Sequence, residues 1–275
     1  MTAASPSTRS TDPDPVSQEA SAPELRDLPE AAAESTGDSP QPASGTPAGP
    51  AASSGSVAER TLTPREAWTQ LLAGNRRFIE GTSEHPNQNA AHRESLAQAQ
   101  NPFTTIFGCA DSRLAAEIIF DLGLGDAFVV RTAGQVIDDA VIGTLEYSVD
   151  VLGVPLIVIL GHNSCGAVTA ARESTKSGQM PRGFQRSLVE RIMPAVLDCQ
   201  RAGKDTVDDM VVANVAMVAN RILDQSRSIS TAVSMGRVAI VGMYYRLEDG
   251  EAELIFGHGS WLDVSKDGLA DERKV

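Results

Sequence analysis

The pattern of this chain predicts an α/β fold, a mostly parallel central sheet with an antiparallel edge strand and helices packed against it, and three observations carry that prediction. From residue 103 onward, short apolar runs of strand length alternate with longer segments of helical spacing, as strand–helix–strand units require. Residues 155–160 (Pro-Leu-Ile-Val-Ile-Leu) form an unbroken apolar run, which suits a central strand buried on both faces. Segments 238–247 and 251–256, turning at Glu248-Asp249-Gly250, read as a hairpin that closes one edge.

Residues 1–60 stand apart from that pattern. They contain no Phe, Trp, Tyr or Ile and hold nine of the 15 prolines, with nine acidic and three basic residues among Ala, Ser, Thr and Gly. Such a segment cannot bury enough apolar surface to offset its ordering entropy, so it is expected to be a disordered acidic tail. Residues 61–275 are then expected to form a single folded domain.

Thr63-Pro64 reads as a helix cap with proline in the first turn, and Trp68, Leu71, Leu72, Phe78 and Ile79 recur at helical spacing up to Gly81. A second short helix is expected over 93–100. Preceding the first strand, these two helices are expected to be appendages that pack on a partner subunit. Strands follow at 103–107 and 127–130, helices at 114–122 and 140–152. A helix begins near Cys165, and helical structure fills 183–228 with a break near Gly203.

Composition excludes several classes. The net charge is −13, of which the tail contributes −6, so the rest is acidic too and nucleic acid is not an expected partner. No run approaches the roughly 18 apolar residues of a membrane span. The acidic, Arg-poor N-terminus resembles neither a transit peptide nor a secretory signal, so a cytoplasmic location is expected. Three cysteines make a poor disulfide framework, and a reducing compartment suits thiolates used as ligands. Gly123-Leu124-Gly125 lacks the further glycine and preceding strand of a dinucleotide loop.

The chemistry concentrates in Cys109-Ala110-Asp111-Ser112-Arg113 and Gly161-His162-Asn163-Ser164-Cys165-Gly166. Cys109 and His162 fall just past the predicted strands 103–107 and 155–160, at carboxyl ends where open α/β sheets place their ligands. Cys165 opens a helix, whose free amides favour a thiolate. Two thiolates and one imidazole suit Zn2+ that keeps one position open, since structural zinc sites usually take four protein ligands. Cys199, inside a predicted helix, reads as an inert buried thiol. Asp111 and Arg113, two apart in an extended turn, can pair and keep a carboxylate ionised beside the metal.

Cys-x-Asp-x-Arg at Cys109, Asp111 and Arg113, with His-x-x-Cys at His162 and Cys165, resembles the β-class carbonic anhydrases over about residues 64–258. The resemblance implies zinc-dependent, reversible hydration of carbon dioxide to bicarbonate and a proton. In that family zinc lowers the pKa of bound water to about 7. The resulting hydroxide attacks carbon dioxide while the Asp matching Asp111 orients it and the Arg matching Arg113 holds the Asp. A closed form in which this Asp becomes a fourth zinc ligand also exists in the family.

The resemblance further implies a substrate pocket of Gln100, Phe128, Tyr147 and Gly166 that lies across a dimer interface from the metal, and hence a homodimer or tetramer. By residue type alone Phe128 and Tyr147 serve equally well as core. A regulatory bicarbonate site found in some members matches here at Arg131 and Tyr245. Its Val is Leu114 and its accompanying Trp is Ile106, so the non-regulated type is expected, and Arg131 is open to a purely structural role. Ala167 and the segment Arg131-Thr132-Ala133-Gly134-Gln135 depart from the family pattern without removing a ligand. Two alternatives share the same residues: a carbon disulfide or carbonyl sulfide hydrolase, and a non-catalytic zinc-bearing bicarbonate sensor.

Overall fold

A computed structural model describes residues 62–259; the tail expected over 1–60 and the end of the chain from 260 lie outside them. Thr63 caps α1 (Pro64–Glu80) through a reciprocal pair. Its hydroxyl accepts the Glu66 N–H at 3.3 Å, and the Glu66 carboxylate accepts the Thr63 N–H at 2.8 Å. Gly81, at φ 68°, ends the helix in the left-handed conformation that glycine adopts without steric cost.

One face of α1 packs on its own chain. Trp68 and Leu71 are buried in the core. The Asn75 amide donates to the Ile119 and Gly250 carbonyls, and its oxygen accepts the Ala252 N–H. These partners come from distant parts of the chain, so sequence periodicity has no access to them. Leu72 and Ile79, on the same helix, remain exposed.

Helix α2 (Ala90–Ser95) begins earlier and stops sooner than the expected 93–100, because the Asn89 side chain accepts the His92 N–H and sets the start. After β1 (Thr104–Cys109) comes α3 (Ala116–Ile119), a single turn where 114–122 was expected. Asp121 follows it at φ 47°, outside helical space, and its buried carboxylate accepts from Arg77 Nε at 2.6 Å and from the Glu84 and His85 N–H groups at 2.9 Å.

Then come β2 (Ala127–Thr132), α4 (Asp139–Asp150, capped by Asp138), β3 (Leu156–His162) and α5 (Gly166–Ser177). The long helical region divides into α6 (Gln185–Arg201), α7 (Val207–Gln225) and α8 (Arg227–Ser234). The hairpin is β4 (Ala239–Tyr245) and β5 (Ala252–His258).

The five strands lie in the order β2-β1-β3-β4-β5, with β1, β2, β3 and β4 parallel and β5 antiparallel to β4. Every residue of β1 and β3 is buried, as the unbroken apolar run predicts for strands covered on both faces. From β1 the chain moves outward to β2, then returns to place β3 on the other side of β1. That reversal lies between β1 and β3, and open α/β sheets bind ligands at the carboxyl ends of such strands. Register pairs Gly108 with Leu160, so Cys109 and His162 end the two neighbouring strands side by side. Both are the last residues of their strands, each two positions beyond the strand ends expected at 107 and 160. Among the described residues no helix is long and apolar enough to cross a membrane.

Candidate metal centre

Cys109, His162 and Cys165 offer ligand atoms that all lie within 4.8 Å of one another, and all three residues are buried. Strand ends deliver the first two. Ser164, at φ 56°, then turns the chain sharply enough that Cys165 caps α5 and points back at the same place.

The His162 ring shows how the cluster is poised. Its Nδ1 lies 2.8 Å from the Asn163 carbonyl oxygen. A carbonyl can only accept, so Nδ1 carries the hydrogen and the neutral ring keeps its lone pair on Nε2. That Nε2 is buried with no hydrogen-bond partner. Leaving a buried acceptor unpaired costs about 1–3 kcal/mol, and an orphan imidazole nitrogen beside two thiols is the donor set of a three-ligand cation site. The residues fit the metal.

The thiols titrate as a pair. The hydrogen bond with Cys165 is the main reason the Cys109 thiol is held down, and the Gly134 N–H, 3.2 Å from Sγ, helps against burial. The shared hydrogen bond and burial push Cys165 up, against the pull of the Val168 and Ala167 N–H groups at the start of α5. Two thiols this close share one proton, and a divalent cation bound between them displaces it.

Arg113 grips Asp111 at three points: its N–H and Nε donate to Oδ1 at 3.0 and 2.9 Å, and Nη2 donates to Oδ2 at 2.7 Å. These hydrogen bonds hold the Asp111 carboxyl well below the usual carboxylate range. Asp111 Oδ2 stands 4.0 Å from His162 Nε2, beside the cluster yet beyond hydrogen-bonding range. The pair inferred from i, i+2 spacing is present.

Arg131 braces the same loop from the neighbouring strand. Its Nε donates to the Cys109 carbonyl at 3.0 Å and Nη2 to the Asp111 carbonyl at 2.5 Å. That engagement accounts for an arginine here without any anion. Tyr245 is buried on β4, three strands away from β2 in the sheet order, and its backbone carbonyl accepts the Asn163 N–H at 3.2 Å.

The four pocket candidates divide. Gly166 opens α5 next to Cys165. Gln100 and Tyr147 line a cleft of about 710 Å³ with Arg93, Leu96, Leu124 and Leu152. Phe128 packs on Tyr147 with ring centroids 6.1 Å apart. The cleft lining includes none of Cys109, His162 and Cys165. Within one chain, then, the structure does not join these three side chains to the ligand cluster.

Two supports escaped the sequence reading. Gly134, at φ 67°, aims its N–H at Cys109, and the buried Asn214 amide on α7 donates to the Gly134 carbonyl at 3.0 Å. Asn163 supplies the carbonyl that fixes the His162 ring. Its place beside a ligand histidine was the one signal available.

A doubly wound α/β sheet with two thiols and one imidazole clustered at its switch point is the class of scaffold that could hold a metal ion there. Comparison with known proteins narrows it. The family model described as carbonic anhydrase matches residues 104–252. Carbonic anhydrase 2 of Mycobacterium tuberculosis (strain ATCC 25618 / H37Rv) is 52% identical over 191 residues, covering 70% of this chain and 92% of that protein. The carbonic anhydrase of Mycolicibacterium smegmatis is 50% identical over 191 residues, covering 70% and 93%. Among solved structures, a tetrameric β-carbonic anhydrase of Sordaria macrospora superposes with a TM-score of 0.56 at 21% identity, covering 70% of this chain and 98% of that one. That of Coccomyxa, solved with acetazolamide, gives 0.53 at 24%, covering 67% and 84%. At such identities the two structures speak for the fold alone. The chain belongs to the β-carbonic anhydrase family.

Proposed function

We propose that this chain is a zinc enzyme that interconverts carbon dioxide and water with bicarbonate and a proton. The observation that carries the proposal is the unpartnered, buried Nε2 of His162 between two thiols, with an ionised Asp111 held 4.0 Å away. Cys109, His162 and Cys165 would hold the zinc, which when bound supplies a Lewis acid that makes water a nucleophile at neutral pH.

The chain's own residues do the orienting. Asp111, anionic and accepting three bonds from Arg113, has no proton to donate, so it can only accept a hydrogen bond from the attacking oxygen and turn that oxygen's lone pair toward carbon dioxide. To become a fourth ligand in a closed state, Asp111 would first have to release Arg113. Gly166 leaves space beside Cys165, where a Cβ would meet nothing within 4 Å.

Gln100, Phe128 and Tyr147 form the remainder of the pocket, facing the metal centre of a second copy. The exposure of Tyr147 (45%) and the gathering of Gln100 with it at one cleft support that arrangement. The working form is therefore a homodimer or a tetramer. Arg131, already engaged on the Cys109 loop, favours the type without regulatory bicarbonate. Three unbridged, buried cysteines suit a reducing cytoplasm. Residues 61–275 suffice for catalysis, so removing 1–60 leaves turnover unchanged.

Stopped-flow hydration of carbon dioxide by protein of known zinc content, across pH 6.5–9 and with added bicarbonate, tests the proposal. Turnover that rises with pH and scales with zinc supports it, and insensitivity to bicarbonate beyond product inhibition supports the non-regulated type. No turnover at full zinc occupancy would refute it, and assays with carbon disulfide and carbonyl sulfide and a bicarbonate-binding measurement would then separate the hydrolase from the sensor.

A further inference from the structure

We infer that Asn163, anchored by Glu248 in the β4–β5 connection, is a positioning residue that sets how tightly the His162 site retains its metal. The inference rests on the metal reading above and concerns residues that make no contact with the ion.

The argument begins at the imidazole. His162 Nδ1 donates to the carbonyl of the very next residue, Asn163, at 2.8 Å. A ring hydrogen-bonded to its own neighbour is only as fixed as that neighbour's peptide plane. The plane lies at an exposed bend, since Ser164 follows at φ 56° and is itself exposed. Something must hold the carbonyl in place.

Asn163 is held on three sides, by the end of β4 and the connection that follows it. Its N–H donates to the Tyr245 carbonyl at 3.2 Å, continuing the β3–β4 ladder one step past the strand end. Its side-chain oxygen accepts the Leu247 N–H at 2.9 Å. Its side-chain nitrogen lies 2.7 and 2.9 Å from the two carboxylate oxygens of Glu248. The oxygen faces a donor and the nitrogen faces acceptors, so this amide orientation alone satisfies both ends.

The grip is well placed to matter. Asn163 is only 9% exposed, so its amide bonds are sheltered, whereas Glu248 lies on the exposed turn. Groups that orient a ligand histidine from behind typically change metal affinity by about 10–100-fold when lost. With the clamp in place, Nε2 is presented at one fixed direction beside Cys109 and Cys165. Without it, the peptide plane and the ring that follows it gain freedom, and cation binding must then order them.

The test uses the zinc-loaded, full-length protein and follows transfer of zinc to a chromogenic chelator, with thermal midpoints measured alongside. N163A is expected to release zinc about 10–100-fold faster than the parent. E248A, a change on the exposed turn, is expected to speed release in the same direction by a smaller factor. E248Q keeps an acceptor for the Asn163 amide while removing the charge, and is expected to stay within about twofold of the parent. Because Glu248 acts through Asn163, N163A/E248A should release zinc no faster than N163A.

Unchanged release in both N163A and E248A would overturn the inference. So would E248Q releasing zinc as fast as E248A, which would make charge rather than the hydrogen bond responsible, or fully additive effects in the double variant. Should N163A lower the thermal midpoint sharply, E248A, E248Q and their comparison still decide. A parent that takes up no zinc would instead refute the metal reading itself.

Discussion

Arg113 holds Asp111 by both carboxylate oxygens, at 2.9 and 2.7 Å, and thereby keeps Oδ2 4.0 Å from the unpartnered nitrogen of His162. The carboxylate is turned to its arginine rather than to the ligand cluster. On the proposed function, this geometry would separate binding of the metal from orientation of the reacting water, and the two are open to separate tests.

Replacing any one of Cys109, His162 or Cys165 by Ala leaves two ligands in a buried cluster built for three. Zinc content measured by elemental analysis should fall from one per chain toward none. Full occupancy in any of the three variants would remove that residue from the site.

D111N keeps the ligand set intact and should bind zinc as the parent does. The amide can donate as well as accept, so it no longer enforces one orientation on the attacking oxygen. Turnover should drop by about a hundredfold, read as kcat by stopped flow at matched zinc content. R113A removes the hydrogen bonds that hold the carboxyl well below the usual carboxylate range. A carboxyl returned to about 4 is still ionised across pH 6.5–9, so turnover should fall by a similar factor over the whole range, through lost orientation rather than through protonation.

Asp121 provides a test of stability against pH. Burial alone would raise its carboxyl, but the Glu84 N–H, Arg77 and the His85 N–H outweigh burial and hold it below the usual carboxylate range. Its folded pKa is thus below the unfolded value. Its contribution is present in full above about pH 4 and is lost as pH falls through the lower, folded pKa. D121A should cost about 2–3 kcal/mol near neutrality and lose less stability than the parent on acidification. Thermal midpoints from pH 6 to pH 2 give the comparison, and parallel curves would contradict it.

Gly74 tests how α1 docks. A Cβ at this position would sit 1.9 Å from the Phe120 carbonyl oxygen, a backbone atom that cannot rotate away. G74A should therefore force α1 off the α3 turn and cost about 2 kcal/mol or more. Chemical denaturation of the variant beside the parent checks this, and an unchanged midpoint would mean that α1 is free to shift without loss.

Much of the architecture was readable because it rests on local patterns. Alternating apolar runs placed β1 to β5 in order, and the hairpin turn at 248–250 placed the antiparallel edge. Helix ends were less readable. α3 is one turn long because Asp121 is held by Arg77, Glu84 and His85, residues some 36–44 positions earlier in the chain. α2 starts at an Asn89 cap that apolar spacing does not register.

For the site, spacing alone pointed to Cys109, His162 and Cys165, whose ligand atoms the structure brings within 4.8 Å of one another: two residues between His162 and Cys165 make a turn, and a Cys after a strand marks the carboxyl edge of a sheet. The Asp111–Arg113 pair was likewise legible, since both partners lie on one short loop. Chain proximity dictates such geometry, and sequence records chain proximity directly.

What the tertiary structure decided is everything that depends on strand order and distant contact. The order β2-β1-β3 brings Cys109 and His162 together although 53 positions separate them in the numbering. It also sets Arg131 on the carbonyls of the Cys109 loop, Gly134 on the Cys109 sulfur and the Glu248 turn against Asn163. Each of these is a directional hydrogen bond between segments far apart in the chain. Their partners exist only once the sheet has assembled, because a hydrogen bond needs a donor and an acceptor at fixed distance and angle.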